Sequence, residues 1–261
     1  MKLFITAGIG QEDFLHASER LKDQVAKLKI FDSLITVTER DLLAIAPWIF
    51  DWYDEEQLNE STGFGYYAWK SAIASAVVSG YWGEVDAVMY LDAGCEVLPG
   101  FRSRRMINGW IRKAQKIGAV GFSSFTPEWK YTKSELLRFL SPPKEHLKSD
   151  QFQSGAWFLA GDVGRKIATE WNQICKSGPN ITNEILSRES SGFVAHRHDQ
   201  SAFSILLKKH GVAPERVPTP YPNSRFTSQL TGLRSPIWAA RNRTGITEIP
   251  LHVRILARLL P

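Results

Sequence analysis

An apolar run behind Asp86, DAVMYL, ends abruptly at Asp92. A stretch this short and apolar, with no alternation, fits a strand covered on both faces, which is how parallel sheets sit inside α/β domains. The start of the chain has the same character. Lys2 to Ala7 is apolar and closed by Gly8 and Gly10. Glu12 to Leu28 places Phe14, Leu15, Leu21, Val25 and Leu28 at near-helical spacing, and Asp32 to Val37 returns to apolar and β-branched residues. Strand, amphipathic helix and strand make a βαβ opening.

The same pattern continues downstream. Tyr66 to Ser79, dense in Ala and Ser, reads as a helix able to pack closely on a sheet; Arg102 to Lys116 reads as a basic helix. Gly118 to Phe125 and Phe152 to Ala160 read as strands, and Asp162 to Cys175 as a helix capped by Asp162. Thr132 and Glu135 are spaced as a capping box before SELLRFL, which Ser141, Pro142 and Pro143 stop. His198 or Asp199 starts a further helix, SAFSILLKK, which Gly211 ends. Thr38 to Thr62 has no clean period and reads as a loop-and-helix insertion, while Pro214, Pro218, Pro220, Pro222 and Pro236 keep the back of the chain irregular. The expected fold is one α/β domain with a Rossmann-like, mostly parallel central sheet flanked by helices and a more irregular C-terminal half.

At 261 residues the chain can bury a sizeable core, and 43% hydrophobic with 23% charged residues is ordinary for a globular protein. A formal charge of +5 and a pI near 9.2 favour an anionic partner: nucleic acid, a phosphate-bearing substrate or an acidic membrane surface. The basic residues are spread along the chain, without a helix-turn-helix, zinc-finger or RNP-type motif, so no nucleic-acid partner is expected. Cys95 and Cys175 lack CxxC spacing, which excludes a structural zinc site or a disulfide framework and suits reduced thiols in a cytoplasmic protein. The N-terminal segment has no long apolar region with a cleavage site, and no run reaches transmembrane length.

Four segments carry candidate chemistry. Val88 to Leu98, VMYLDAGCEVL, puts Asp92 and Glu96 at the C-terminal edge of a parallel sheet, where open α/β folds bind ligands. Both are oxygen donors suited to a hard divalent cation, Mn2+ or Mg2+, which would neutralise a diphosphate, and Gly94 would let the backbone approach a ligand. GFGYYAWK places Gly63 and Gly65 before a helix N-terminus, where amides can meet phosphate, with Lys70 adding charge and Tyr66, Tyr67 or Trp69 able to stack. The spacing is not that of a dinucleotide fingerprint. Gln153, Ser154 and Gly155 interrupt an apolar strand and need hydrogen-bond partners, a sugar hydroxyl or a neighbouring loop. HRHDQ, His196 to Gln200, sends two imidazoles and the carboxylate of Asp199 out of a helix N-terminus, groups suited to general base work or metal ligation as well as to plain capping.

Taken in order, GFGYYAWK, YLDAGCEV, FQSGAWFLAG and HRHDQSAFSILLKKHG resemble glycosyltransferase-like proteins of bacterial and viral polysaccharide (capsule, O-antigen) synthesis, of the GT-A fold, across Lys2 to about Gly211. The resemblance implies a nucleotide-sugar donor, with uridine diphosphate the expected carrier, and a glycan or lipid-linked glycan acceptor. It implies a nucleotide-sugar-binding half at 1–125, an acceptor-side half at 126–233 and a basic tail at 234–261. The family's DxD motif matches Asp92-Ala93-Gly94, so the second acid is missing and Glu96 is its candidate substitute. Asp199 matches the family's later acid, the base for the acceptor hydroxyl, with His198 beside it. His252 is the candidate C-terminal metal ligand, with His196 and His198 as competitors. Gln153, Ser154, Gly155 and Gln200 would line the acceptor. Rival readings are a non-catalytic carbohydrate- or nucleotide-binding protein of the same fold and a nucleotidyltransferase.

In the tail, Arg234, Arg241, Arg243, Arg254 and Arg258 outnumber Glu248. They suit diphosphate binding or docking on the inner face of a membrane, with Leu251, Val253, Ile255, Leu256, Leu259 and Leu260 forming an interfacial helix. The alternative is a C-terminal helix packed on the domain.

Overall fold

A computed structural model describes residues 1–52, 64–177, 181–185, 187–215 and 235–259. The βαβ opening forms as β1 (Lys2–Ala7), α1 (Glu12–Ala26) and β2 (Ser33–Val37). The expected insertion contains α2 (Glu39–Ile45), whose Thr38 cap exchanges hydrogen bonds with Asp41, and α3 (Trp48–Trp52). A short 3-10 turn at Phe64–Tyr67 leads into α4 (Trp69–Val78). The DAVMYL run becomes β3 (Ala87–Leu91), buried at every position, followed by the short β4 (Glu96–Val97) and by α5 (Phe101–Ile117).

The second half begins with β5 (Ala119–Pro127) and three short helices, α6 (Glu128–Tyr131), α7 (Ser134–Leu140) and α8 (Lys144–Lys148). It continues through β6 (Asp150–Leu159), α9 (Gly161–Lys176) and α10 (His198–Lys209), and ends with β7 (Ile237–Trp238) and α11 (Leu251–Leu259). Gly63, Pro218, Pro220, Pro222, Arg234 and Leu260, which entered the sequence reading, lie outside the described residues.

The main sheet has the order β2-β1-β3-β6-β5. β1 is parallel to β2 and β3, whereas β6 is antiparallel to both β3 and β5. All but β6 therefore point one way: the sheet is mixed and mostly parallel, as expected. Its strands alternate between two apolar layers, as a pleated strand must. Leu3, Ile5, Tyr90 and Trp157 face Ile73, Trp171 and Phe203 from α4, α9 and α10. Phe4, Met89 and Phe158 face Leu21, Ile107 and Trp110 from α1 and α5. Each such buried side chain stabilises the fold by about 1.5–3 kcal/mol.

Several helix starts differ from expectation. Thr132 does not cap α7; its hydroxyl donates to Glu128 Oε1 at 2.6 Å. The Ser134 amide and hydroxyl instead donate to Glu189, at 3.0 and 2.7 Å, so a carboxylate distant in sequence satisfies the exposed donors. Thr132 is drawn away by a buried polar cluster around Glu128, which also accepts from Gln151 at 2.9 Å and Lys208 at 2.7 Å and fastens α6 to β6 and α10. Asp162 is likewise not a cap. α9 begins one residue earlier, and Asp162 lies in its first turn, where a negative charge favours the helix dipole.

At the C-terminus, β4 pairs with β7, and α11 packs on α5. Val253 and Ala257 turn inward onto Leu98, Trp238 and Ile249. Gly100 makes this crossing possible: it has φ +111°, and a Cβ there would lie 2.6 Å from the Ala257 carbonyl oxygen. Among the described residues no helix is long and apolar enough to cross a membrane.

Candidate functional site

The parallel strands β1, β2 and β3 end together, and the loop after β1 is held there. The Gly8 amide donates to the Val37 carbonyl at 2.9 Å and the Gly10 amide to Glu39 Oε1 at 3.0 Å. Gly8 is required by packing, since a Cβ would lie 2.8 Å from the Leu15 Cα. Beside this edge, β3 delivers Asp92. Tyr90 is two residues earlier, on the same side of the strand, and its hydroxyl donates to Asp92 Oδ1 at 2.7 Å.

Lys70, in the first turn of α4, completes the pair. Its ammonium lies 2.9 Å from Asp92 Oδ1 and 3.0 Å from Oδ2. The lysine side chain is almost wholly buried, whereas 39% of the Asp92 side chain remains exposed. Burial alone would lower the Lys70 pKa; the charges of Asp92 and Asp199 outweigh it and raise it, so the lysine stays cationic. Gly155 of β6 supports the acid from below. Its carbonyl accepts the Asp92 amide at 2.8 Å, and a Cβ on it would lie 2.5 Å from Asp92 Oδ2.

Asp199 is coupled electrostatically to Lys70. It is buried in the first turn of α10, whose N-cap is Arg197, so it does not serve as the cap. Its Oδ2 has no hydrogen-bond partner among the described residues. Desolvation lifts its pKa from 3.8 to about 7; Lys70, the Ser154 side chain and the Gln200 amide pull the other way, and Asp92 adds to the rise. A buried carboxyl with a free oxygen and a pKa near neutrality is chemically equipped to take a proton.

The backbone around the pair is unusual. Gly65, Tyr66, Tyr67 and His198 all have positive φ, between 46° and 60°, and three of them carry side chains that disfavour it. Such strain persists only where the surroundings enforce it, and it clusters at sites of function. Tyr66 packs against His198 with ring centroids 4.8 Å apart, and Tyr67 lies under the Lys70 ammonium, 4.9 Å from its ring centroid. Tyr67 is partly exposed, and burial and the nearby acids raise its phenol pKa against the pull of Lys70 and Arg243. It is the aromatic surface at the rim of the site.

The structure thus brings together Lys70, Asp92, Ser154, Gly155 and Asp199, and it assigns several other expected residues elsewhere. Glu96 is fully buried on the floor of the C-terminal loop. Its oxygens accept from Asn242 Nδ2 at 2.8 Å, the Glu248 amide at 2.7 Å and the Thr247 hydroxyl, which saturates them. His252 is exposed on α11, and no contact joins it to Asp92 among the described residues. Gly94 admits the protein's own chain rather than a ligand, since a Cβ there would lie 3.1 Å from the Arg241 Cα. Trp69 is a core residue set edge-on to Tyr90.

Gln153 donates to the Ser123 carbonyl at 2.8 Å, and Gln200 donates to Gln151 Oε1, also at 2.8 Å; both brace neighbouring elements. His198 engages the Ile181 carbonyl through Nδ1 at 2.7 Å, and His196 Nδ1 accepts from the Lys133 amide at 3.4 Å, so the two imidazoles anchor loops. Among the described residues no three His, Cys, Asp or Glu side chains converge on one point. With Asp92 held by an ammonium and Glu96 saturated, this donor set does not fit the divalent cation expected there. Two contributors escaped the sequence reading: Tyr90, although its placement two residues before the acid was a usable signal, and Arg20. Arg20 spans the floor, donating to the carbonyls of Ala93 and Cys95 at 2.8 Å and of Thr244 at 3.0 Å.

No protein-family model matches the chain, and no curated protein does. Among solved structures, the crystal structure of mouse xyloside xylosyltransferase 1 in its apo form is similar with a TM-score of 0.45 and 11% sequence identity, covering 95% of this chain and 100% of that one. A likeness of that degree carries nothing about chemistry, which rests on the residues themselves.

Proposed function

We propose that this chain is a glycosyltransferase of GT-A type, moving a sugar from a nucleoside diphosphate carrier to a hydroxyl of a glycan or lipid-linked glycan. The observation that carries the reading is the arrangement of Asp199: a buried carboxyl with one unpartnered oxygen, coupled through Lys70 to the Asp92 pair at the sheet edge. The Asp92–Lys70 pair, its lysine buried and its acid partly exposed, sets fixed polar groups where a diphosphate would lie, and Tyr67 offers a face for a base or sugar ring.

In this reading the acceptor oxygen attacks the anomeric carbon while the bond from that carbon to the diphosphate oxygen breaks. The hydroxyl proton passes to Asp199 Oδ2, and the nucleoside diphosphate leaves with the electron pair of the broken bond, beside the Lys70 ammonium that it shares with Asp92. No part of this step is routed through a metal.

Uridine diphosphate is the proposed carrier and polysaccharide synthesis the proposed setting, both resting on the sequence resemblance. The test is calorimetric titration with UDP, GDP and ADP and their sugar conjugates, with and without Mn2+, followed by assay for release of free nucleoside diphosphate. Binding of one base with turnover supports the transferase. Binding without turnover in the presence of candidate acceptors moves the assignment to a non-catalytic nucleotide-binding protein, and pyrophosphate release moves it to a nucleotidyltransferase.

A further inference from the structure

The outer face of α11 has the wrong chemistry for a surface helix in water. Val253 and Ala257 face the protein, yet Leu251, Ile255 and Leu259 recur every four residues on the opposite side and are 63%, 46% and 74% exposed. A helix at the surface ordinarily shows polar residues there. Arg254 and Arg258, also four apart, run along one flank of this ridge and reach a cavity of about 250 Å³ between α11 and α1.

That cavity is cationic. Arg20, Lys27, Arg254 and Arg258 line it against the single carboxylate of Asp23. Arg20 is occupied by backbone carbonyls, but no ion pair engages Lys27, Arg254 or Arg258 among the described residues. Arg254 Nε is buried and has no hydrogen-bond partner there either. An unpartnered buried guanidinium nitrogen beside two further unpaired cations is an anion site in search of its anion.

We propose that α11 and this cavity dock the protein on an anionic phospholipid bilayer, with Leu251, Ile255 and Leu259 entering the interface and a headgroup phosphate held by Lys27, Arg254 and Arg258. A free phosphate would account for the cavity but not for the apolar ridge continuous with it. A second copy of the chain would cover the ridge but would bring two arginine flanks together. A bilayer with anionic headgroups satisfies both features. The inference stands apart from the chemistry at Asp199 and survives if that reading fails.

The experiment is flotation of the purified chain with vesicles of phosphatidylcholine alone and of phosphatidylcholine mixed with phosphatidylglycerol, at low and raised salt. Flotation with the anionic vesicles only, weakened by salt, is the expected result. Lys27→Gln and Arg258→Gln should each cost about five-fold in partitioning, and Ile255→Ser with Leu259→Ser should abolish it. These side chains are exposed, and unchanged melting curves would show that the variants remain folded. Inorganic phosphate at matched concentration should not displace the protein. Equal flotation with neutral vesicles, flotation with neither, full competition by phosphate, or a dimer in sedimentation that Leu259→Ser splits would each overturn the proposal.

Discussion

The Lys70 ammonium contacts both oxygens of Asp92, at 2.9 and 3.0 Å, and is the cation of the proposed diphosphate site. Lys70→Met should therefore weaken binding of the nucleoside diphosphate by about 10- to 100-fold, the value of one charge-assisted hydrogen bond. Chelation of metals should leave wild-type binding unchanged. Titration calorimetry in the presence of EDTA checks both, and a requirement for Mn2+ would contradict the role given to Lys70.

Asp199 sets a pH dependence with a definite sign. Its carboxyl titrates near 7 in the fold against 3.8 as a free group, so the folded state holds a proton that the unfolded state has lost. Stability contributed by this group is present below about pH 4, falls as pH rises towards 7 and stays lost above it. Asp199→Asn mimics the protonated form and should melt higher than wild type at pH 8, with the gap closing by pH 4. The same variant should lose transfer, and wild-type transfer should rise with pH through about 7. Equal melting temperatures at pH 8 would argue against the raised pKa.

Gly155→Ala should behave like a mutation of Asp92. The new methyl would sit 2.5 Å from Asp92 Oδ2, and neither the strand nor the acid can yield without disturbing the Lys70 pair. A stability loss of about 1–3 kcal/mol is expected, with transfer reduced as far as in Asp92→Ala. Denaturant unfolding and a turnover assay together test this; full activity would show that the Asp92 position is not critical.

Glu96→Gln separates a structural acid from a metal ligand. It removes the charge that the Asn242 side chain, the Glu248 amide and the Thr247 hydroxyl surround, and a loss of about 1–3 kcal/mol should follow. The response to added divalent cation should not change. A variant of native stability that has lost a Mn2+ response would restore Glu96 as a ligand.

What sequence reading captured was mostly local. The strand leading to Asp92 and the helix that starts near Asp199 are written in contiguous residues, where apolar spacing and an abrupt acid are visible. Lys70 was singled out, but as an addition to glycine amides; that it neutralises Asp92 depends on how α4 lies against β3, which no spacing encodes. The two glycines near the acid exchanged expectations. Gly94 admits the 241–242 segment, while Gly155 does the work of making room at Asp92. Glu96 misled for a plain reason: a buried acid and a metal ligand look alike until their partners are known, and here those partners are about 150 positions away.

That distance also dictates an order of events during synthesis. Arg20 also donates to Ala93 and Cys95, but other groups that satisfy Arg20 and Glu96, at Asn242, Thr244, Thr247 and Glu248, are made 146 to 224 positions later. Until those residues leave the ribosome, a guanidinium and a carboxylate face a half-built floor and cannot be buried without penalty. The sheet can assemble on the emerging chain, but closing the floor beneath Asp92 waits for the 242–248 segment. A stalled or shortened product would carry the strands of the site and still lack its floor.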